Sequence, residues 1–428
     1  MAQRRPSPEE ALRFWLKLGF ISFGGPTGQI AIMHAELVEK RRWISEERFL
    51  HALNFCMLLP GPEAQQLAAY IGWFLHGIWG GVAAGALFVL PAAVILWALS
   101  WLYMAGGNIA WVAAVFYGLQ PAVVAIVAAA ILRIGGKALK NSLMWCVAAL
   151  AFSAIFFLKL PFVAIILAAA LLGLAGGHLR PDLFITAKDP DSRSRDSTGH
   201  EPWPSAGRTL RVVTTCLVLW IGPIVLAGLF RGRDDILFQE GIFFSKAALV
   251  TFGGAYAVLP YVAQQAVEHY EWVGTPQMMA GLALAETTPG PLIMVLQFVG
   301  FVGAWQNPGG LSPLIAGTLG AAITTWTTFL PSFLFVLAGA PYVERVRHIR
   351  ALSAALSTVT AAVVGVILNL AVWFGQHVFF PTQFRPDAYA IALATLFFFG
   401  LWKGRWSAVS VVVAGGLLGL AGKLLAGI

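Results

Sequence analysis

Two short motifs, each present twice, carry the residue types best suited to chemistry in this chain. Phe23-Gly24-Gly25-Pro26 and Pro60-Gly61-Pro62 lie inside apolar stretches and recur as Phe252-Gly253-Gly254 and Pro289-Gly290-Pro291. Gly and Pro break the helical hydrogen-bond ladder and leave backbone N–H and C=O groups that lipid cannot satisfy. Such groups line a cavity or are buried in protein. A new helix starts after each break, and its first N–H groups form a partial positive end suited to an anion. Lys17 and Lys246 each lie six residues before the motif phenylalanine. Two ammonium groups and four helix starts would suit a divalent oxyanion, which needs charge compensation once dehydrated. Ser22, Thr27, Gln29 and Thr251 around the first turns, and Gln65, Gln66, Thr287 and Thr288 around the second, offer further donors, some of them only caps of local backbone. Glu63 follows the first PGP and Glu286 precedes the second. Burial disfavours a charged carboxylate, so either can carry a proton coupled to anion movement, and Glu63 equally suits a cap of its own helix. The competing reading is structural: glycines for close helix packing, prolines for kinks, and lysines that snorkel from helix ends.

The elements that position these residues follow from composition. Of 428 residues, 58% are hydrophobic and only 11% charged, against about 25% charged in soluble domains. Trp111 to Ile131 and Ser407 to Leu420 contain no charge, and runs of this kind suit a hydrocarbon core about 30 Å thick. The chain is expected to be an all-α polytopic membrane protein whose partner is the lipid bilayer. The formal net charge of +8 sits mainly in short loops, the positive-inside pattern of cytoplasmic loops, so nucleic acid is not an expected partner. Cys56, Cys146 and Cys216 lie in apolar runs without His or Cys at ligand spacing; they read as small buried hydrophobes, with no metal or other cofactor implied. His34, His51 and His76 fall at segment ends and suit structural interfacial roles. The N-terminal MAQRRPSPEE lacks the order of a cleavable signal, and with no Walker-type loop ATP hydrolysis is not expected.

One shift of 229 residues relates Lys17 to Lys246, Phe23 to Phe252, Glu39 to Glu268, Trp43 to Trp272 and Pro60 to Pro289. The chain is therefore a tandem duplication. Leu90-Pro91 matches Leu330-Pro331 at a shift of 240, so the second half gains about 11 residues in between. The expected organisation is a first repeat at 1–178, a polar cytoplasmic linker at 179–209, a connecting transmembrane helix at 210–237 and a second repeat at 238–428. Lys40-Arg41-Arg42 in the first half becomes His269-Tyr270-Glu271 in the second. Opposite charge bias in equivalent loops predicts inverted repeats. If segments 11–33 and 49–75 enter and turn back, then 1–10, 34–48, 133–141, 179–209 and 341–350, all carrying Lys or Arg, fall on the cytoplasmic side. Each half then has two Gly/Pro-broken re-entrant segments and about four spanning helices. Each limb of about 11 residues is about 16 Å long and reaches mid-membrane.

FGGP with a downstream PGP, repeated as FGGAYAVLP and ETTPGP, resembles the chromate ion transporter family in its long, two-half form. The resemblance implies a non-enzymatic secondary active transporter in the bacterial inner membrane. It implies export of chromate driven by the membrane potential or the proton gradient, chromate resistance, and competition by sulfate. The candidate substrate site read from the residues is Lys17, Ser22, Phe23 to Pro26, Pro60 to Pro62 and Gln65 with Lys246, Thr251, Phe252 to Gly254 and Thr288 to Pro291, and Glu63 and Glu286 are the candidate proton carriers. The second turn has Ala255 where the first has Pro26, so the two turns need not contribute equally. A carrier for sulfate or another oxyanion, an anion channel, and a membrane enzyme, the last without a visible nucleophile or metal cluster, are the alternatives. A homodimer is left open.

Overall fold

A computed structural model describes residues 6–23, 25–106, 109–180, 184, 206–342, 350–381 and 385–426. Gly24, most of the 179–209 linker and most of the 341–350 loop lie outside the described residues. The described chain is helical. The first half contains α1 (Pro8–Ile21), α2 (Gly25–His34), α3 (Glu46–Leu58), α4 (Glu63–Gly106), α5 (Ala110–Ala138), α6 (Ser142–Phe156) and α7 (Phe162–Leu179). A connecting α8 (Ala206–Arg231) leads to α9 (Ile236–Leu249), α10 (Ala255–Ala263), α11 (Thr275–Thr287), α12 (Val295–Gln306), α13 (Pro313–Gly339), α14 (Arg350–Phe379), α15 (Ala388–Trp402) and α16 (Ala408–Ala426). Six helices, at 63–106, 110–138, 162–179, 206–231, 313–342 and 353–379, are long and apolar enough to cross a membrane. The protein is a multi-pass membrane protein.

Local sequence explains the breaks. Ser7 and Ser45 accept hydrogen bonds from the backbone N–H of Glu10 and Arg48 and so start α1 and α3. Within α4 the backbone leaves helical geometry at His76 and Gly77, Gly77 having φ +66°, so α4 is two helices joined at a kink. Its second-half counterparts are α12 and α13, parted by the loop 307–312, where residues gained by the second half lie.

Backbone detail recurs at the 229-residue shift. A π-helical turn at Ala35–Lys40 is matched by one at Gln264–His269. Trp43 N–H donates to Leu37 O, and Trp272 N–H donates to Ala266 O. Arg42 and Glu271 both have φ near +54°. Both tryptophans are buried and anchor the end of the π turn.

The halves interlace rather than sit side by side. α6 and α7 of the first half pack on α14 of the second, while α15 and α16 pack on α5 of the first. Small residues permit this approach: a Cβ added at Gly118 of α5 would lie 2.0 Å from Gly415 O of α16, and one at Gly365 of α14 would lie 2.0 Å from Ala148 O of α6. Neither backbone oxygen has room to give. Gly118→Ala is expected to destabilise the protein by about 1–3 kcal/mol, seen as a lowered melting temperature in detergent; an unchanged one would show that the crossing tolerates a methyl group.

Cys56 and Cys216 are buried as expected, but Cys146 is exposed. Met144, Val147, Ala148 and Ala151 form the buried face of α6, and Cys146 falls outside it. An apolar run shows that a residue is off water; it does not distinguish protein from lipid as the neighbour.

Candidate anion site

The broken helices meet at reciprocal backbone hydrogen bonds. Gly61 N–H of the first PGP donates to Thr251 O before the second FGG turn at 2.7 Å. Gly290 N–H of the second PGP donates to Ser22 O before the first FGG turn at 2.8 Å. Residues 22 and 251, and 61 and 290, are repeat equivalents, so each half supplies the partner that the other half's broken ladder lacks. Gly61 and Gly290 have φ of +124° and +107°, which favour glycine. A Cβ at Gly61 would meet Ser332 Oγ, and one at Gly290 would meet Ala92 Cβ at 2.5 Å. Ser332 and Ala92 are themselves equivalent at the 240 shift. The FGG turns approach as well: a Cβ at Gly254 would lie 3.9 Å from Pro26 Cγ.

The remaining expected site residues fall into two groups. Several hydroxyls are engaged by their own helices. Ser22 Oγ donates to Leu18 O, Thr251 Oγ1 to Ala247 O, Thr288 Oγ1 to Leu284 O, and Thr287 Oγ1 to carbonyls of the same turn. Their protons satisfy carbonyls left open where the helices stop, which places them on the capping side of the expectation. The glutamines are different. Gln29 Nε2 donates to Gly290 O at 2.5 Å and to Ser22 O at 3.3 Å, tying the first FGG segment to the second PGP. Gln66 Nε2 donates to Pro60 O and Ser332 Oγ. Gln65 is wholly buried, and neither its amide nitrogen nor its amide oxygen has a hydrogen-bond partner among the described residues. No side chain caps α10 at Gly254 or the 3₁₀ turn Leu292–Met294 at Pro291. A buried amide without a partner can donate to an anion or to water.

Lys17 and Lys246 occupy equivalent exposed positions, outside the buried stripes of α1 and α9. Phe23 is 40% exposed, whereas Pro62, Gly254, Pro289 and Pro291 are buried and Thr27 is exposed. Glu286, 7% exposed, accepts a hydrogen bond from the Tyr256 hydroxyl, joining the end of α11 to the start of α10. Glu63 is the first residue of α4, where a carboxylate complements the helix dipole. His34 bonds Glu46 and lies 3.2 Å from Glu39, and His76 bonds Pro6 O; both tie chain segments together, as segment-end histidines should.

Sequence reasoning missed three features. Tyr256 follows the second FGG turn closely, yet an aromatic in an apolar run gives no polar signal. Arg133, read only as loop charge, lies over the Tyr256 ring, its guanidinium carbon 6.0 Å from the centroid. Glu240 is wholly buried in α9 without a partner for either carboxylate oxygen among the described residues, facing Gly303 and Gly320; a lone acid inside the apolar run of 236–249 was its available signal.

The family described as Chromate transporter matches residues 10–174 and 238–420, once in each half. The chain is 32% identical over 421 residues to a chromate transport protein of Pseudomonas aeruginosa, covering 96% of this chain and 91% of that protein. It is 30% identical over 360 residues to a chromate transport protein of Cupriavidus metallidurans, covering 84% and 80%. An uncharacterized transporter of Methanocaldococcus jannaschii is 26% identical over 372 residues, covering 87% and 85%. No solved structure matches the chain significantly.

Proposed function

The chain belongs to the chromate transporter family, and from that premise we propose that it is a secondary active transporter of chromate. It exports the dianion across the bacterial inner membrane, driven by the membrane potential or the proton gradient, and thereby confers resistance. The observation that carries the reading is the reciprocal pair Gly61–Thr251 and Gly290–Ser22. It joins the broken helix ends of two related halves, and Gln65, four residues after Gly61, leaves its amide without a partner among the described residues. A dehydrated tetrahedral dianion can take up such donors. Sulfate offers them the same shape and charge, so it competes. Lys17 and Lys246 add positive charge at equivalent positions of the halves, and Glu63 and Glu286 carry the coupled proton.

Purified protein in liposomes tests this. Saturable chromate flux, inhibited by sulfate and responsive to an imposed potential or pH gradient, is the expected result; unsaturable flux that only runs downhill would identify a channel. Normal transport in both Lys17→Ala and Lys246→Ala would remove lysine from the site.

The topology is inverted, with re-entrant hairpins α1–α2, α3–α4 start, α9–α10 and α11–α12. Single cysteines at the equivalent exposed positions Glu47 and Pro276, in a background where exposed Cys146 is serine, should be labelled from opposite sides of the membrane. Labelling of both from the same side contradicts inversion.

A further inference from the structure

We propose that Arg133 and Lys137 of α5 are the principal cationic ligands of the transported anion, holding a tetrahedral oxyanion dianion beside the Tyr256–Glu286 pair; this rests on the transporter reading above. The two residues are four apart on one helix and so share a face. α5 of the first half packs against α11 of the second, which brings that face to the end of the hairpin carrying Glu286. The Arg133 guanidinium lies over the ring of Tyr256, a residue only 6% exposed, and the Tyr256 hydroxyl donates to Glu286. Arg133 interacts electrostatically with Glu286, and Lys137 with Glu63 at the first PGP.

Arg133 and Lys137 are themselves exposed, while Tyr256 and Glu286 beside Arg133 are buried. An exposed cation near the end of α5 that contacts the buried Tyr256–Glu286 pair marks a route from that end of the helix to the pair. Lys137 stands four residues nearer the α5 terminus than Arg133, so the pair forms two steps leading from the end of α5 at Ala138 toward the turns.

Residue chemistry fits an oxyanion. Arginine presents a planar fork that bonds two oxygens at once, and lysine adds a point charge. The pattern is also one-sided. At the 240-residue shift the equivalents of Arg133 and Lys137 are Trp373 and His377, so the turns are duplicated but this cationic face is not. Glu63 and Glu286 likewise occur once each at non-equivalent positions, their counterparts being Leu292 and Met57. The unduplicated Arg133 meets the unduplicated Glu286 through Tyr256, which argues for a built site rather than scattered loop charge.

The test is isothermal titration of chromate, and separately of sulfate, into the purified full-length protein in detergent. Arg133→Gln should weaken chromate binding about 10- to 100-fold with an unchanged melting temperature. Arg133→Lys should retain part of the affinity, and Lys137→Gln should weaken binding less than Arg133→Gln. Lys423→Gln removes one exposed charge at the end of α16 and should leave binding unchanged. Wild-type affinity in folded Arg133→Gln overturns the assignment; should that variant not fold, wild-type affinity in both Arg133→Lys and Lys137→Gln overturns it. No binding of either dianion by the wild-type protein overturns the transporter reading beneath it.

Discussion

Gly290→Ala and Gly61→Ala should each abolish transport and strongly lower the melting temperature. At both positions the backbone is left-handed, φ +107° and +124°, which costs a non-glycine residue roughly 1–2 kcal/mol. The new methyl group would also lie 2.5 Å from Ala92 Cβ at residue 290, and against Ser332 Oγ and Gln66 Nε2 at residue 61. Overpacking of that kind adds about 1–3 kcal/mol. The glycine must shift to relieve both, and the shift breaks its hydrogen bond to Ser22 O or Thr251 O in the opposite half. A combined cost of about 2–5 kcal/mol is a large fraction of the stability of a typical protein. Gly136→Ala is the control: a Cβ there meets nothing within 4 Å, and melting temperature and flux should match the wild type. Wild-type behaviour in Gly290→Ala would show that the reciprocal bonds do not hold the broken helices together.

Glu286→Gln should collapse chromate accumulation driven by a pH gradient to the level of protein-free liposomes, while downhill exchange persists. The amide matches the carboxylic acid in shape and can still accept from the Tyr256 hydroxyl, so the fold is preserved and only the exchangeable proton is lost. A fixed neutral group neither takes up nor releases a proton, so it cannot follow a proton gradient. Glu63→Gln, measured beside it, apportions the role between the two acids. Full pH-driven accumulation in both variants would exclude these carboxylates as proton carriers.

Much of the architecture was legible in advance. Breaks expected within 11–33 and 49–75 fall between α1 and α2 and between α3 and α4, because Gly and Pro act through local backbone chemistry. Within the stretch read as 210–237 the chain forms α8, Ala206–Arg231, since a run of apolar residues declares itself without reference to neighbours. Site residues were less legible. Ser22 and Thr251 look like free donors in the sequence, yet each hydroxyl is spent on the carbonyl four residues before it. Lys17 and Lys246 stand out as charges in apolar segments, but the helical face on which they lie is exposed.

The sequence by itself determined that this chain is a duplicated helical membrane protein with its helices broken twice in each half. Composition, apolar runs and Gly-Pro motifs are properties of single segments and survive being read in one dimension. Tertiary structure alone decided which residues meet. Gly61 with Thr251, Gly290 with Ser22, and Arg133 with Tyr256 are pairs brought together only when the helices of one half pack into the other. Contacts between segments more than a hundred residues apart depend on helix rotation and depth, which hydrophobic periodicity constrains weakly when nearly every face of a helix is apolar.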